Sequence, residues 1–370
     1  MVNSLRNLFV KSGKGMGVEI TSERINIVQL RRQNQGLKLV NMVSAPVPEG
    51  VVEEGRITDP LTLAELLRTT LAEHKITTKR VATAVPVSVA VNRLIKLPAE
   101  LDDAELREMV LNQEAALYLP FPREEADVDY QKLGITRDED GIDRVEVMLV
   151  ATSRETTESY LDTFRQAELQ VDVIEVSSFA LIRTVREKLR QFSPQEAVAI
   201  VDIEFDNTEI SIVIDGVPQF SRTVPIGTFQ IQSALARAMN IPPTRSTDML
   251  QNMTVPLSPA DGGGMMGAAA KGGNPGMAAI LRILGDLADE LRRSIDFYLT
   301  QGENLEIAQL LLAGPGGGLG QLDEFFSQRL SLPTEQIDPV STLSLLSPEE
   351  ILPSRRPGLG VVLGLGLREL

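Results

Sequence analysis

Alternating apolar and polar residues mark the first regular unit of the chain. Val18 and Ile20 flank Glu19, the polar stretch TSER follows, and the alternation resumes with Ile25 and Ile27. A period of two is typical of β-strands, so the pattern predicts a strand, a tight polar turn and a second strand. A third strand, LKLVNMV, and an amphipathic helix, LTLAELLRTTLAEH, are expected to follow.

The same order of elements recurs at residues 197–224. An apolar strand carries Asp202 near its end, 183 positions after Glu19, and the polar turn EFDN follows it. The strand TEISIVI then leads through an Asp-Gly turn to a third strand, and Asp-Gly between alternating runs is a strong hairpin signal. This match of pattern predicts two α/β halves that face each other across a ligand cleft.

The remaining segments divide the chain into unequal parts. Residues 86–150 combine alternating strands with one helix, and they are expected to form a small α+β subdomain inserted in the first half. Residues 251–277 are rich in Gly and Ala, which predicts a flexible loop. The expected organisation is a flexible tail (1–14), a first lobe (15–196), a second lobe (197–340) and a C-terminal segment that returns to the first lobe (341–370).

Composition excludes several classes of function. A formal net charge of −15 disfavours a nucleic-acid partner, which would need a basic face. The chain has no cysteine and one histidine, His74 in a polar stretch, so thiol nucleophiles and Cys-zinc sites are excluded and a Ser-His-Asp triad would require His74. No apolar run approaches the roughly 18 residues that span a bilayer. Residues 1–14 carry three basic and no acidic side chains, which suits either an amphipathic tail or a frayed terminus.

Two acidic residues and one glycine run are the candidates for chemistry. Glu19 and Asp202 lie among branched apolar residues, and a buried carboxylate is costly unless it is paired or bound to a metal. Together they could hold a hydrated Mg²⁺ between the two turns; the alternative is that both lie in solvent at strand ends. The glycine-rich segment 314–318 follows an apolar strand and precedes a helix, so its backbone could contact an anion or a base. It is not a Walker A loop, because no Gly-Lys-Ser/Thr follows it.

These segments together resemble the actin-like nucleotide-binding proteins, and within them the family of type IV pilus assembly proteins PilM, relatives of the cell-division protein FtsA. GVEITSERINIV is similar to the first phosphate motif, VDIEFDNTEISIV to the second and LLLAGPGGGLGQL to the adenosine motif. LNQEAALYLPFPREEADVDYQKL is similar to the inserted subdomain, and VVLGLGLREL to the closing helix. The resemblance implies an α/β fold with two RNase H-like lobes flanking a nucleotide cleft.

The resemblance also implies a role for individual residues. Glu19 and Asp202 would bind Mg²⁺ through water, and Glu175 would position a water near the terminal phosphate. ATP would contact both turns, two helices and the glycine run, through Glu19, Thr21, Ser22, Asp202, Glu204, Asp206, Asn207, Thr208, Gly227, Glu290, Arg293, Gly314, Gly316, Gly317 and Gly318. For Glu290 and Arg293, which share a helix face, a surface salt bridge is the alternative. A partner peptide would bind the inserted subdomain at Val87, Val89, Val91, Leu94 and Leu97.

Three positions depart from the family pattern. Thr21 and Glu204 stand where glycines are usual, and Asn26 stands where a lysine is common. A glutamate beside phosphates repels them unless a metal lies between. Nucleotide binding is therefore expected to be weakened or turnover lost, which leaves open whether the protein is an enzyme.

The implied function is that of an adaptor in the type IV pilus inner-membrane assembly complex. It would lie at the cytoplasmic face of the inner membrane, bind ATP in the cleft and bind the N-terminal peptide of PilN, so that the membrane complex is coupled to the cytoplasmic motor. Motor ATPases and other pilus inner-membrane proteins are further expected partners, and membrane contact would be indirect. The alternatives are a polymerising ATPase similar to FtsA or MreB, a nucleotide-free scaffold, and a sugar or acetate kinase. The glycine-rich, weakly charged end of the chain disfavours the FtsA type.

Overall fold

Two β-sheets form the framework of the protein. The computed structural model describes residues 15–33, 36–138, 140–242, 244–256, 275–301 and 306–368. The strands among these residues are, in chain order, β1 (Met16–Ile20), β2 (Arg24–Gln33), β3 (Gly36–Pro46), β4 (Val52–Glu53), β5 (Arg56–Ile57), β6 (Arg80–Val85), β7 (Ala90–Pro98), β8 (Ala126–Arg137), β9 (Asp143–Ser153), β10 (Gln170–Val176), β11 (Ala197–Ile203), β12 (Thr208–Ile214), β13 (Val217–Val224), β14 (Ile307–Ala313), β15 (Thr334–Gln336) and β16 (Leu345–Leu346).

The two large sheets repeat one topology. The first has the order β10-β6-β1-β2-β3-β16 and the second the order β13-β12-β11-β14-β15. In each, three consecutive strands pair antiparallel, and the first of the three also pairs in parallel with a later strand, β6 with β1 and β14 with β11. Glu19 near the end of β1 and Asp202 near the end of β11 therefore occupy equivalent places, as the repeated sequence pattern predicts.

Helices cover both sheets and fill the space between them. They are, in chain order, α1 (Pro60–Glu73), α2 (Asp103–Glu108), α3 (Ala115–Tyr118), α4 (Arg154–Gln166), α5 (Ser177–Thr184), α6 (Arg186–Leu189), α7 (Thr228–Met239), α8 (Pro275–Leu299), α9 (Gly314–Gly317), α10 (Leu322–Leu330), α11 (Pro339–Thr342) and α12 (Gly360–Arg368). The outer face of the first sheet packs on α1 and α4, and that of the second packs on α7, α8 and α10. Among the described residues, no helix combines the length and apolar character needed to cross a membrane.

The pair α5 and α12 lies between the two sheets. Leu181 of α5 and Leu365 of α12 belong to one buried cluster with Ile200 of β11 and Leu311 of β14. The helices cross closely, because Gly364 has no side chain: a Cβ there would lie 2.0 Å from the carbonyl oxygen of Ala180. This shared layer joins the two lobes through apolar contact.

The inserted subdomain is a three-stranded antiparallel sheet of order β7-β9-β8. It leaves the first lobe after β6 and returns to it at α4. Its α2, followed by the π-helical turn Met109–Glu114 and α3, covers one face of the sheet. Ile95, Leu106 and Leu149 lie in a core of its own, so the subdomain is a separate packing unit.

The predicted loop 251–277 is shorter in the structure at both ends. Val255 is buried, and its N–H donates to the carbonyl oxygen of Gly320 at 2.8 Å, which ties this segment to the second lobe. Pro275 to Met277 belong to the first turn of α8, where Pro275 suits the first helical position. Residues 257–274 of the predicted loop, and the predicted tail 1–14, lie outside the described residues.

Substituting Gly364 with alanine is expected to destabilise the protein. Alanine favours a helix over glycine by about 1 kcal/mol, but here its Cβ would meet the backbone of α5. Such overpacking costs about 1–3 kcal/mol, so the melting temperature should fall despite the gain in helix propensity. Differential scanning fluorimetry of Gly364→Ala measures the effect.

Gly134→Ala is the matched control for this substitution. Gly134 lies in β8 with no neighbouring atom within 4 Å of an added Cβ, so the melting temperature should stay close to that of the wild type. A Gly364→Ala protein that melts at or above the wild-type temperature would contradict the close crossing of α5 and α12.

Candidate functional site

Two tight turns, one from each lobe, meet where the lobes approach each other. In the first, the N–H of Thr21 donates to the carbonyl oxygen of Arg24 at 3.0 Å, and the N–H of Arg24 donates to the Thr21 hydroxyl at 3.1 Å. In the second, the N–H of Glu204 donates to the carbonyl oxygen of Asn207 at 2.9 Å. Thr21 thus closes its own turn through its side chain, which is a local reason for a threonine at this position.

The two turns are in direct contact. The Ser22 hydroxyl donates a hydrogen bond to Oδ2 of Asp206, which joins the first turn to the second. Glu23 accepts hydrogen bonds from the N–H and the hydroxyl of Thr247, at 2.6 Å and 2.5 Å. Arg245 donates to the carbonyl oxygen of Ser22 at 3.0 Å and stacks over the ring of Phe205. Polar contacts therefore close the lobes on each other at this end.

Four backbone amides of the turns remain free. The N–H groups of Ser22, Glu23, Phe205 and Asp206 donate to no acceptor within the part of the chain that the structure describes. N–H groups of a turn that point to one place can bind an anion. Both turns can therefore donate hydrogen bonds to an anionic ligand.

Buried carboxylates converge behind the turns. Glu19, Asp202 and Glu209 are between 4% and 7% exposed. Burial raises the pKa of Glu19 to about 7 and that of Glu209 to about 7. Burial, reinforced by the charges of Glu209 and Glu19, raises the pKa of Asp202 well above its ordinary value, and burial with the neighbouring acids does the same for Glu204. The carboxyl groups of this region are therefore harder to ionise than carboxyl groups in water.

Asn26 and Asp202 show how the carboxylates are satisfied. The Asn26 amide donates to Oε2 of Glu19 at 2.8 Å and accepts from the Ser44 hydroxyl at 2.7 Å, so this departure from the family pattern supplies a neutral partner to Glu19. Oδ1 of Asp202, in contrast, is buried without a hydrogen-bond partner. Within the described ranges, no group of three or more acidic or histidine side chains could hold a metal ion.

The glycine run forms the third side of this region. Gly314 has a φ of 75°, which favours glycine, and a Cβ there would lie 2.6 Å from Oδ1 of Asp202. A Cβ on Gly316 would contact the side chain of Ile203 at 2.4 Å, and one on Gly318 would lie 1.9 Å from the carbonyl oxygen of Ser354. The run therefore lies against the end of β11 and under the segment 353–359. Contact of Gly314 and Gly316 to Gly318 with adenosine stays a prediction.

Gly227 and Thr208 support the second turn. A Cβ on Gly227 would lie 2.4 Å from the carbonyl oxygen of Phe205, so only glycine lets the start of α7 approach the turn this closely. The Thr208 hydroxyl donates to the carbonyl oxygen of Ile226 at 2.6 Å. Both predicted nucleotide-binding residues therefore shape the turn, and nothing in the structure tests their contact with a ligand.

Glu290 and Arg293 form the surface salt bridge that the sequence leaves as an alternative. Their side chains are paired with each other on α8, and Arg222 of β13 approaches Glu290 at 3.2 Å. The hydrogen bond from Arg293 holds the pKa of Glu290 below its ordinary value. Their predicted contact with the nucleoside stays a prediction.

Glu175, the predicted catalytic residue, is held by two arginines. Its two oxygens accept hydrogen bonds from Arg183 at 2.7 Å and 2.6 Å, and Arg368 of α12 approaches to 3.1 Å. Arg183 also donates to the carbonyl oxygen of Gly364. Glu175 thus fastens α5 and α12 through arginines, and its predicted positioning of a water stays a prediction.

The predicted peptide-binding residues are only partly accessible. Val87 and Leu97 are buried, Leu97 in the core of the inserted subdomain, so neither side chain can contact a peptide in this conformation. The alternation along β7 explains this, because Ile95 and Leu97 point to the same covered face. Val89, Val91 and Leu94 are half-buried and stay candidates.

Sequence reasoning missed Glu209, Glu23 and Arg245. Glu209 lies within the strand TEISIVI, whose other residues are apolar or small, and a charged residue inside such a strand is the signal that could have identified it. Glu23 and Arg245 are bonded across the lobes, and no local pattern predicts such partners.

Comparison with known proteins places these features in a family. The sequence profile of the type IV pilus assembly protein PilM family matches residues 17–256, more than half of the chain. A solved structure described as a PilM-PilN type IV pilus biogenesis complex is 25% identical, with a TM-score of 0.79 over 97% of this chain and 99% of that chain.

Two more distant structures support the fold alone. The ethanolamine utilization protein EutJ from Carboxydothermus hydrogenoformans is 13% identical with a TM-score of 0.53, over 95% of this chain and 88% of that chain. MreB5 of Spiroplasma citri bound to ADP is 11% identical with a TM-score of 0.51, over 95% of both chains. They bear out the predicted actin-like α/β fold. The profile match covers more than half of the chain, and the repeated sheets and the inserted subdomain agree with it. The chain therefore belongs to the family of type IV pilus assembly proteins PilM.

Proposed function

We propose that this protein is a cytoplasmic adaptor of the type IV pilus assembly complex. It binds the N-terminal cytoplasmic peptide of a PilN-type inner-membrane partner, which holds it at the cytoplasmic face of the membrane. The observation that carries the proposal is similarity along almost the whole chain, inserted subdomain included, to a protein solved in a PilM-PilN complex. Motor ATPases and other pilus proteins are further partners in this proposal.

The inserted subdomain offers a site for an extended peptide. Strand β7 pairs with β9 on one edge only within the described sheet, so its outer edge can take a further strand. Adding a strand to an open edge is a common mode of peptide recognition, in which alternate side chains give specificity. Val91 and Leu94 on β7 are half-buried, so apolar surface accompanies the free backbone groups.

The cleft residues fit a magnesium nucleotide, and we propose ATP with Mg²⁺ as its ligand. The unpartnered, buried Oδ1 of Asp202 suits a water of a hydrated cation, and the free amides of both turns suit phosphate oxygens. When bound, the Mg²⁺ would supply the positive charge that compensates the carboxylates. Glu204 repels phosphate unless this charge lies between them, so binding is proposed to require the metal.

The ligand is proposed to act on conformation. Because amides of both lobes can contact it, binding favours the closed arrangement of the lobes. Glu175, the predicted catalytic residue, is held in an ion pair, so we propose weak or no ATPase activity.

A synthetic peptide of the partner's N-terminal cytoplasmic segment is expected to bind the wild-type protein with measurable heat in calorimetry. Leu94→Arg should weaken this binding, because a charge replaces half-buried apolar surface on β7. Ile135→Arg is the control, since Ile135 is exposed on β8, the other outer strand of the same sheet. The absence of heat at high micromolar peptide, with folded protein, would refute the peptide site.

Asp202→Asn is expected to lower the affinity for MgATP about tenfold or more, as loss of an outer ligand to a metal does. Stability should be equal or higher, because an amide cannot ionise, whereas burial and neighbouring acids disfavour the ionised form of Asp202. Fluorescence titration with a labelled ATP measures affinity, and urea denaturation measures stability. Asp162→Asn, on the exposed face of α4, is the control. Equal affinities in the wild type and Asp202→Asn would count against the cleft as the ATP site.

Raising the pH is expected to destabilise the ligand-free protein. Burial raises the pKa of Glu19 from 4.5 to about 7, so between these values the folded protein holds a proton that the unfolded chain has lost. The free energy of unfolding should therefore fall as the pH rises through this window and level off above it, by up to about 3 kcal/mol for one such group. Urea denaturation from pH 5 to pH 8 measures the slope.

Glu19→Gln provides the comparison for the pH series. Glutamine stays neutral, so the variant should lose this part of the slope and gain less from added Mg²⁺ at pH 8 than the wild type. Identical slopes in the two proteins would show that Glu19 does not titrate in this window.

A further inference from the structure

Glu209 is a buried carboxylate of the second lobe that is bonded to the first. Its Oε1 accepts a hydrogen bond from the N–H of Val87 at 2.8 Å, and its Oε2 accepts one from the Ser177 hydroxyl at 3.0 Å. Val87 begins the turn that leads from β6 into β7, and Ser177 is the first residue of α5. One side chain of β12 thus holds the base of the inserted subdomain and an inter-sheet helix.

A second contact fixes the same base. The Asn92 amide of β7 donates to the Ser221 hydroxyl of β13 at 3.3 Å, and Ser221 is bonded to Ser211 of β12 at 3.2 Å. The hydroxyl of Thr152, near the end of β9, donates to the carbonyl oxygen of Val89 at 2.7 Å. Side-chain hydrogen bonds therefore fasten the base of the subdomain, where β7 begins and β9 ends, and the hairpin β12–β13 is bonded to this base through Asn92.

The same hairpin reaches the cleft. Glu209 lies directly opposite Asp202 in the pairing of β11 with β12. A small cavity of about 10 Å³, at the lower limit of the space that holds one water, is lined by both residues together with Ser178 and Ser211. β12 begins with Thr208, immediately after the second turn, so a ligand that draws this turn toward the first lobe also moves Glu209.

We propose that Glu209 is a positioning residue that couples occupation of the cleft to the orientation of the inserted subdomain, and so to peptide affinity. The proposal rests on the proposed function, since it joins the nucleotide site to the peptide site. A ligand between the turns shifts β12, and Glu209 transmits the shift to Val87 and β7 through its hydrogen bond. Coupling of this kind is reciprocal: each ligand changes the affinity of the other by the same factor.

The test measures this factor. The dissociation constant of the partner's N-terminal peptide is determined by calorimetry with and without MgATP, and that of MgATP with and without peptide. In the wild type the two ratios should agree and reach about fivefold or more. In Glu209→Leu both ratios should approach one, because leucine has no acceptor for the N–H of Val87, while each ligand alone still binds. Glu209→Asp, whose carboxylate is one methylene shorter and is withdrawn from Val87, is the second variant. It should also lose the coupling, and it serves as the test if Glu209→Leu fails to fold.

Ser177→Ala is the matched control, since it removes the bond to α5 but leaves the bond to Val87. It should retain the coupling. Hydrogen exchange adds a readout without ligand: in Glu209→Leu, amides of residues 87–98 should exchange faster than in the wild type, and those of β14 should not.

The outcomes separate the two proposals. A wild type that binds both ligands without mutual effect, or a Glu209→Leu protein that keeps the coupling, overturns the role of Glu209 and leaves the proposed function intact. A wild type that binds no peptide or no MgATP refutes the proposed function. In that case unchanged exchange of residues 87–98 in Glu209→Leu also overturns the positioning role.

Discussion

Negative charge buried where two sheets converge is the constraint on which the structure depends. Glu19, Asp202 and Glu209 lie within the protein, and the position that could carry a lysine carries Asn26. Ionised carboxylates in such a place are unfavourable unless hydrogen bonds or a cation compensate. Neutral donors satisfy Glu19 and Glu209, whereas one oxygen of Asp202 has none. This oxygen of Asp202 is therefore the one left for the cation that we propose.

The buried carboxylates lie where the elements that join the two lobes and the inserted subdomain meet. The strands β11 and β12 carry Asp202 toward the cleft and Glu209 toward the inserted subdomain. The helices α5 and α12 fill the space between the sheets, and Glu175 fastens them through Arg183 and Arg368. The proposed adaptor function requires a ligand site and a partner site that respond to each other, and the paired strands β11 and β12 would connect them.

Local patterns carried much of the prediction. Alternation and an Asp-Gly turn predict both strand-turn-strand units, and the position of an acid at the end of each strand brings Glu19 and Asp202 into equivalent places. Residues whose role depends on distant partners were not predictable in this way. Glu175 is neutralised by Arg368 near the end of the chain. Leu97 is covered by a helix, and the sequence of the strand alone does not predict that packing. The role of Glu209 depends on its hydrogen bond from Val87, which lies far away in the chain.

The position of the last segments has a consequence for how the protein is made. β16 adds to the edge of the first sheet, and α12 packs against β1, although both follow the whole second lobe in the chain. The ribosome therefore exposes the first lobe long before its closing elements exist. Apolar surface of β1 and α5 stays uncovered during that interval, and surface of this kind is prone to aggregation. The first lobe can complete its packing only after residues 345–368 have been synthesised.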